Sequence, residues 1–315
     1  MKIENIADLR VLVHTARAGS LTGAATALGI TPAAASATLK RVETQLGVRL
    51  FERSTRAMRL TAPGQTLLNY ASRAFDLIAE GEAQVSADRT ELIGLVRMAA
   101  PSDLARSVLL PWLDEFVAAH PGVQLALSVG DRVLDVVRDE LDFAVRYGTL
   151  ADSRLVARRL ALTAPVVVAA PAYLARRGVP LSPMDLSQHN CLAYDRAGRP
   201  HRTWRFLRQG QWTEVRVQGD RSVDDASLAR QWALSGAGVL LKSPLEQLPD
   251  MAEGRLVQLL QDWQTESYPL HALLPSGRFV PTRVRALVDF LALKFEDLVK
   301  TPPLIPPDAT RQTPS

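Results

Sequence analysis

Residues 20–71 read SLTGAATALGITPAAASATLKRVETQLGVRLFERSTRAMRLTAPGQTLLNYA, and this stretch decides the fold of the first part of the chain. It holds two short helical patterns that Gly29 separates. Ser20 is a good N-cap for the first helix. Thr31 followed by Pro32 supplies a cap and a proline at the first helical position of the second. Two helices joined by a tight glycine-containing turn predict a helix-turn-helix.

The flanking residues complete a small helical domain. A further helix is predicted over residues 6–18, and Gly47 ends the helix that begins at Pro32. Ile30, in the turn, is expected to point inward. The second helix of the motif carries one buried stripe at helical spacing, formed by Ala35, Leu39, Val42 and Leu46.

Two strand-like runs follow the motif and surround a polar loop. The runs are residues 48–51 and 58–60, and the loop is residues 52–57, a pattern that predicts a hairpin wing. Thr61 then caps a helix over residues 62–89, and roughly 28 helical residues are about 42 Å long.

This long helix carries a narrow apolar seam at heptad-like steps and has, from the sequence, no domain of its own to cover. We therefore expect it to pair with the same helix of a second copy. The alternative is a long surface helix on a monomer. The seam consists of Leu67, Ala71, Ala74, Ile78 and Val85, with Gly81 as a weak point in the helix.

Positive charge is concentrated at the start of the chain. The first 60 residues hold nine Lys or Arg and four acids, whereas the whole chain has a net charge of only +4. Six of those nine bases lie between Lys40 and Arg59. A concentrated basic segment favours a phosphate backbone as partner, and an ordinary solvated surface is the alternative interpretation of the charge alone.

From Gly94 onward, short apolar runs alternate with helical patterns, which predicts parallel strands with crossover helices. The last 15 residues, rich in proline, are predicted to be a disordered tail. Predicted strands are residues 95–100, 123–129, 143–147, 155–162, 165–170, 213–219, 238–242, 255–260 and 268–274, and predicted helices lie over 102–119, 133–139, 224–235 and 282–299.

The quoted N-terminal stretch is similar, without gaps, to the signature of LysR-type transcriptional regulators. The pieces HPGVQLALSVGD, ELDFAVRYGTLADSRLVARRL, PAYLARRG, SGAGVLL and RVRALVDFLALKF resemble the same family. Together they extend the resemblance from residue 1 to about 297. It implies the α/β class, with an N-terminal all-α winged helix-turn-helix, a long linker helix and a two-lobed effector domain like that of periplasmic binding proteins.

With this resemblance, the chain is divided into a DNA-binding domain, a linker, an effector domain and a tail. Chain crossovers between the lobes are expected near Leu160–Val166 and Glu266–Leu270. The predicted ranges are 1–60 for the winged helix-turn-helix with its motif at about 19–38, 61–92 for the dimerisation helix, 93–300 for the effector domain (lobe I 93–162 and 268–300, lobe II 163–267) and 301–315 for the tail.

In this architecture the second helix of the motif lies in the major groove, and the wing reaches the backbone or the minor groove. The family commonly has arginine where this chain has Ala37, so Thr38 or Lys40 takes its place, or DNA shape contributes more. The structural alternative for Ser36 is a hydroxyl bonded to the backbone of its own helix. The alternative for the wing arginines is a solvated turn. The predicted DNA-binding residues are Ala33, Ser36, Ala37, Thr38, Lys40, Arg41, Arg53, Thr55 and Arg56.

An effector is expected in the cleft where strands end and helices begin. Four places in the sequence fit that position: Ser102-Asp103, Ser128 to Asp131, Arg146-Tyr147-Gly148, and Asp224-Asp225 at the start of the helix in lobe II. Arg146 is the candidate partner for a carboxylate, so a small, anionic organic effector is predicted. Helix capping, a structural ion pair and simple exposure are the alternatives for these positions. The predicted effector residues are Ser102, Asp103, Ser128, Arg146, Tyr147 and Asp224, with His201 and Thr203 added by the resemblance.

Two other classes of protein fit the sequence less well. An enzyme is not favoured, because Cys191 beside His189 has no orienting third group and Gly236-Ala237-Gly238 follows a helix, the reverse of a dinucleotide fingerprint. An exported solute-binding protein would need a signal peptide, which the sequence MKIENIADLR does not suggest. We therefore predict a cytoplasmic, sequence-specific DNA-binding regulator with no catalytic residues, cofactor, metal or membrane partner. Its expected partners are double-stranded DNA with an inverted repeat, an effector and further copies of itself as dimer or tetramer, with RNA polymerase as a further candidate.

Overall fold

The computed structural model describes residues 2–53, 58–85, 91–132, 136, 139, 141–148, 155–196, 199–276 and 280–300. The chain divides into two compact units, Met1–Thr90 and Glu91–Ser315. Among the described residues, none of the helices is both long enough and apolar enough to span a membrane. The predicted tail over residues 301–315 lies outside the described residues.

The first unit begins with three helices whose ends follow the predicted signals. The Ser20 hydroxyl accepts the Gly23 N–H at 3.1 Å, and the Thr31 hydroxyl accepts the Ala34 N–H at 3.2 Å. Gly29 adopts a left-handed φ of 66°, which ends one helix and turns the chain into the next. The elements are a 3-10 turn at Ile6–Asp8, α1 at Leu9–Ala18, α2 at Leu21–Leu28, α3 at Pro32–Leu46, β1 at Phe51–Arg53, β2 at Met58–Leu60 and α4 at Ala62–Val85.

The wing hairpin lies slightly later in the chain than its predicted position. Its antiparallel register starts at Phe51 opposite Leu60, so Glu52 belongs to a strand and not to the loop. The Glu43 carboxylate accepts the N–H groups of Leu50 and Phe51 at 2.8 and 3.4 Å, and so holds the chain as it enters the hairpin.

Ile30 does not point inward, and this prediction is wrong. Its side chain is 38% exposed because the left-handed turn at Gly29 presents it to solvent, while its N–H binds the Ala25 carbonyl at 3.0 Å. The core of the unit is formed by residues of α1 and α3 together with Leu50 and Phe51.

Helix α4 spans 24 residues, about 36 Å. Contrary to expectation, its first half covers its own domain, since Leu67, Leu68, Ala71 and Phe75 pack against the core of the first unit. The sequence could not show this, because core and pairing residues share the same helical spacing. The predicted end of the helix, residues 86–89, lies outside the described residues.

The second unit is built from two lobes, each around its own sheet. In chain order its first elements are β3 at Gly94–Ala100, α5 at Ser102–Leu104, a π turn at Ala105–Leu109, α6 at Leu110–Ala119, β4 at Val123–Val129, β5 at Phe143–Tyr147 and β6 at Leu155–Ala161. Next come β7 at Val166–Ala169, α7 at Pro171–Arg177, a 3-10 turn at Pro183–Gln188, β8 at Cys191–Arg196, β9 at Arg199–Pro200, β10 at Thr203–Arg208, β11 at Gln211–Arg216, β12 at Ser222–Val223, α8 at Ala226–Leu234, β13 at Val239–Lys242, α9 at Leu248–Ala252, β14 at Val257–Leu259 and β15 at Gln264–Thr265. The last are β16 at Leu270–Pro275 and α10 at Thr282–Lys300.

Lobe I is the five-stranded sheet of order β4-β3-β5-β16-β6, and lobe II contains the sheet of order β12-β8-β13-β7-β14 and the three strands β11-β10-β15. The prediction of parallel strands is wrong at β7, which is antiparallel to both β13 and β14, and at β16, which is antiparallel to both β5 and β6. Each of these two strands comes directly after a crossing between the lobes. Among the described residues, strands β9, β10, β12 and β15 and helices α7 and α9 were not predicted. Most of the predicted helix over 133–139 lies outside the described residues.

The chain crosses between the lobes twice, between β6 and β7 and between β15 and β16, as expected. The two crossing segments bind each other, since the Tyr268 N–H donates to the Thr163 carbonyl at 2.6 Å. In return the Thr163 hydroxyl donates to the Tyr268 carbonyl at 2.7 Å. The cleft between the lobes therefore has a hydrogen-bonded double crossing at its base.

Candidate DNA interface and effector cleft

Helix α3 has one buried and one exposed face, and the predicted base-reading residues lie on or beside the exposed one. Ala35, Leu39 and Val42 are buried in the core. The exposed residues are Ala33, Ala37 and Lys40, while Ser36 and Thr38 are half-buried at the edge of that face. With Ala at two of these positions, the exposed surface is small and apolar at its start and basic further along.

Arg41 is not a free cation on this helix. Its guanidinium pairs with the buried Asp8 carboxylate at 2.8 Å and also approaches the Thr38 hydroxyl at 3.4 Å. A buried carboxylate needs such a partner, so Arg41 fixes α3 against the start of the chain. About half of its side chain, 52%, is still exposed, which leaves an edge available to a phosphate.

The wing carries the remaining predicted DNA contacts. Arg53 is the last residue of β1, but its side chain, like Thr55 and Arg56, lies outside the described residues. Across the hairpin, Glu52 is opposite Arg59 in the register.

In the second unit, three polar residues from separate parts of the chain meet between the lobes. Ser102 begins α5 directly after β3, Asp131 follows β4, and Asp225 is the N-cap of α8. The Ser102 hydroxyl lies 2.5 Å from Asp131 Oδ2 and 3.0 Å from Asp225 Oδ1. Parallel strand ends and helix starts thus converge here, as in other α/β clefts.

Arg146 lies near this group at the end of β5. Its guanidinium donates to the Arg132 carbonyl at 2.9 Å. Burial lowers the pKa of Arg146, and the negative charges of Asp131 and Asp139 offset part of that effect. A guanidinium that is partly desolvated and close to a carboxylate is well suited to bind an anion.

Two predicted effector residues lie instead in a buried polar junction between the lobes. Asp103 is fully buried, 3.2 Å from Lys242 Nζ and 3.6 Å from the Arg230 guanidinium, both in lobe II. The Tyr147 hydroxyl donates to Glu246 at 3.0 Å and its ring stacks on Tyr268 with centroids 5.5 Å apart. Their side chains are thereby committed to protein partners.

The pKa shifts in the junction follow from burial. Burial raises the pKa of Asp103, and Lys242 limits that rise. Burial raises the pKa of Tyr147 well above its ordinary value, with Glu246 adding to the effect. Burial alone would lower the pKa of Lys242, but the carboxylates of Glu246 and Asp103 raise it overall.

The other predicted effector residues lie around the cleft. Of the predicted cap pair Asp224-Asp225, Asp225 is the residue that accepts the N–H groups at the start of α8. Asp224 instead approaches the Arg132 guanidinium at 3.4 Å. Ser128 and Thr203 are exposed, at the ends of β4 and β10, and the carbonyl of the half-buried His201 accepts the Trp204 indole N–H at 3.2 Å.

Sequence reasoning placed Asp131 in the candidate stretch Ser128 to Asp131, because it follows a strand that was correctly predicted, but it missed Lys242. Lys242 gave a weaker signal, a lone charge at the end of an apolar strand with Glu246 four residues later. Neither pattern states which distant residue will be the partner.

No three His, Cys, Asp or Glu side chains within the described ranges could hold a metal ion together. His189, beside Cys191 in sequence, has its Nδ1 3.2 Å from the Tyr173 hydroxyl.

Comparison with known proteins assigns both units to one family. Residues 6–65 match the family of "Bacterial regulatory helix-turn-helix protein, lysR family", and residues 89–295 match "LysR substrate binding domain". The regulator PtxR of Pseudomonas aeruginosa is 33% identical over 287 residues, 91% of this chain and 92% of its own. The activator TtdR of Escherichia coli is 30% identical over 90% of this chain and 92% of its own.

Among solved structures, CrgA of Neisseria meningitidis, a LysR-type transcriptional regulator, is 30% identical with a TM-score of 0.60. The match covers 94% of this chain and 100% of that one. The predicted family, fold class and non-enzymatic nature are confirmed. This chain belongs to the LysR family of DNA-binding transcriptional regulators.

Proposed function

We propose that this regulator binds an inverted-repeat operator by placing the start of α3 in the major groove. The observation that carries the proposal is the exposed face of α3, with Ala33, Ala37 and Lys40 outward and the opposite stripe buried. The methyl groups of the two alanines suit thymine methyls, and Ser36 suits a base edge. Lys40 and the exposed edge of Arg41 suit phosphates, as do the wing residues Arg53, Thr55 and Arg56.

A titration of the chain's own upstream DNA against salt tests this proposal. Replacing Lys40→Ala is expected to weaken binding to all sequences and to reduce the salt slope by about 1, because one phosphate contact is lost. The matched control is Lys2→Ala, which removes an equal charge from an exposed position outside α3 and the wing. An unchanged slope in the Lys40 variant, or an equal loss in the control, contradicts the phosphate role.

Two copies are proposed to pair through exposed apolar side chains of α4. Tyr70, Leu77 and Ile78 are 60%, 38% and 47% exposed, although apolar side chains of this size prefer burial. Ile78 also lines a groove of about 490 Å³ between α1 and α4, whose rim carries Arg10, Arg17 and Glu82. A second copy would cover the apolar surface and present two copies of α3 to the two half-sites of one DNA face.

The effector is proposed to be a small organic anion bound between the lobes, close to Ser102 and Arg146. The partly buried guanidinium of Arg146 supports an anionic ligand. Ser128, His201, Thr203 and Asp224 would surround it. A response of operator binding to a panel of organic acids, lost in Arg146→Ala, is the expected result. RNA polymerase remains a proposed partner at regulated promoters.

A further inference from the structure

Asp131 links the two lobes through a single carboxylate. Its Oδ1 accepts the Ser102 N–H at 3.1 Å, at the start of a helix in lobe I. Its Oδ2 accepts the Ala226 N–H at 2.7 Å, at the start of α8 in lobe II. Each is the first residue of its helix, where N–H groups have no partner within the helix and attract negative charge.

The neighbouring donors are also occupied by the protein itself. Asp225 Oδ1 accepts the N–H groups of Ser227 and Leu228 at 2.8 and 3.1 Å. The Ser102 hydroxyl has one proton but lies within hydrogen-bond distance of the carboxylates of both Asp131 and Asp225. Two negative groups therefore compete for one donor, so one of the two contacts lacks a proton.

Of the two carboxylates, Asp131 is the one that an arriving anion would replace. Asp225 caps its own helix with local contacts, and its loss would leave α8 uncapped. Asp131, in contrast, reaches across from the other lobe and lies near Arg146, whose charge it faces. A ligand carboxylate in its place would gain the same two N–H groups and the attraction of the nearby positive charge of Arg146.

We infer that Asp131 is an internal ligand, whose carboxylate occupies the anion position of the cleft and latches the lobes together until a carboxylate-bearing effector displaces it. This inference rests on the effector cleft proposed above. The latch lowers the apparent affinity for effector, because only the fraction of molecules with Asp131 released is competent to bind. It also couples binding to a change in how the lobes are held, which a regulator needs.

Hydrogen exchange of the full-length protein without DNA or effector tests the latch directly. In Asp131→Ala, the peptides that contain the Ser102 and Ala226 amides are expected to exchange at least about tenfold faster, because those amides lose their acceptor. The control is Asp262→Asn, which removes one negative charge from an exposed turn before β15. Unchanged exchange at both amides in a folded Asp131 variant overturns the inference.

Binding of simple carboxylates provides the second measurement, with acetate and succinate as probes in calorimetry. If the latch is closed in nine molecules of ten, Asp131→Ala should bind them about tenfold more tightly than the parent. Asp131→Asn, which keeps the shape and one acceptor oxygen, should fall between the two and guards against a folding defect in the alanine variant. Equal or weaker binding by both variants overturns the inference.

These two measurements can succeed or fail independently of the proposed function. Neither measurement uses DNA. A failure of operator binding would therefore contradict the proposed function, whereas the exchange and affinity results would still test the role of Asp131. Conversely, the protein could respond to organic acids through Arg146 while its Asp131 variants show the same exchange rates and affinities as the parent. That result would support the proposed effector site and contradict the latch.

Discussion

Cys191 is a fully buried residue at the start of β8. Its thiol lies 3.4 Å from the Leu186 carbonyl, and its surroundings are apolar side chains of the lobe II core. Burial raises the pKa of Cys191 to about 12, so the thiolate is scarce near neutral pH. Since the thiolate is the nucleophile, this environment makes the residue inert.

The native protein should therefore resist alkylation of Cys191 by iodoacetamide at pH 8. The folded chain is expected to stay unmodified, whereas the chain in denaturant should react fully, because unfolding restores both access and an ordinary thiol pKa. Intact-mass measurement reads both states directly. Rapid labelling under native conditions would show that the cysteine is reached through local opening of β8.

Residues also show where sequence reasoning works and where it ends. Ser20 and Thr31 cap their helices as predicted, because a cap depends on an amide only three residues away. The contact of Asp131 with Ala226 joins residues 95 apart in the chain. Ile30 was misplaced for a related reason, since its direction depends on the exact turn at Gly29.

Among the secondary-structure elements, helix α4 has one half that covers its own domain and one half that leaves apolar side chains exposed. Ala71 is 2% exposed, whereas Ile78 is 47% exposed only two turns later. The sequence showed the apolar seam, but it did not show which part covers the domain and which part stays exposed. Periodicity shows which residues share a face and not what covers them. Strand β7 shows the same limit, since its residues were predicted and its direction was not.

Replacing Ile78→Glu is expected to weaken self-association, because the change would bury an unpaired charge in the proposed contact. Sedimentation over a range of concentrations should show the shift toward monomer. Gln65→Glu adds the same charge to an exposed position near the start of α4 and should leave association unchanged. Parental association in the Ile78 variant would place the contact between copies elsewhere.

At the scale of the whole molecule, the effector unit depends on how its two lobes are joined. Besides the double crossing, Lys242 in lobe II binds Asp103 of lobe I at 3.2 Å and Glu246 at 3.0 Å, all three fully enclosed. Leu245 of the same segment packs into the core of lobe I. The junction is therefore a buried polar and apolar connection that joins the two lobes beside the cleft.

Lys242→Met tests the importance of that junction. The methionine fills much of the space, but it leaves the Glu246 carboxylate buried without its cation and Asp103 with only the Arg230 guanidinium at 3.6 Å, a loss of about 3–5 kcal/mol in unfolding free energy. Urea denaturation followed by circular dichroism measures the loss. The control, Lys294→Met, breaks a more exposed ion pair with Glu115 and should cost at most about 1 kcal/mol.

The defect in Lys242→Met should also depend on pH, in a direction fixed by Asp103. Burial already raises the pKa of Asp103 in the parent, and removal of Lys242 raises it further. A carboxyl whose pKa is higher in the folded than in the unfolded state destabilises the fold above that pKa and ceases to do so as the pH falls through it. The gap between variant and parent should therefore narrow from pH 8 to pH 5. A gap that stays constant or widens on acidification would mean that Asp103 is not the buried charge that Lys242 compensates.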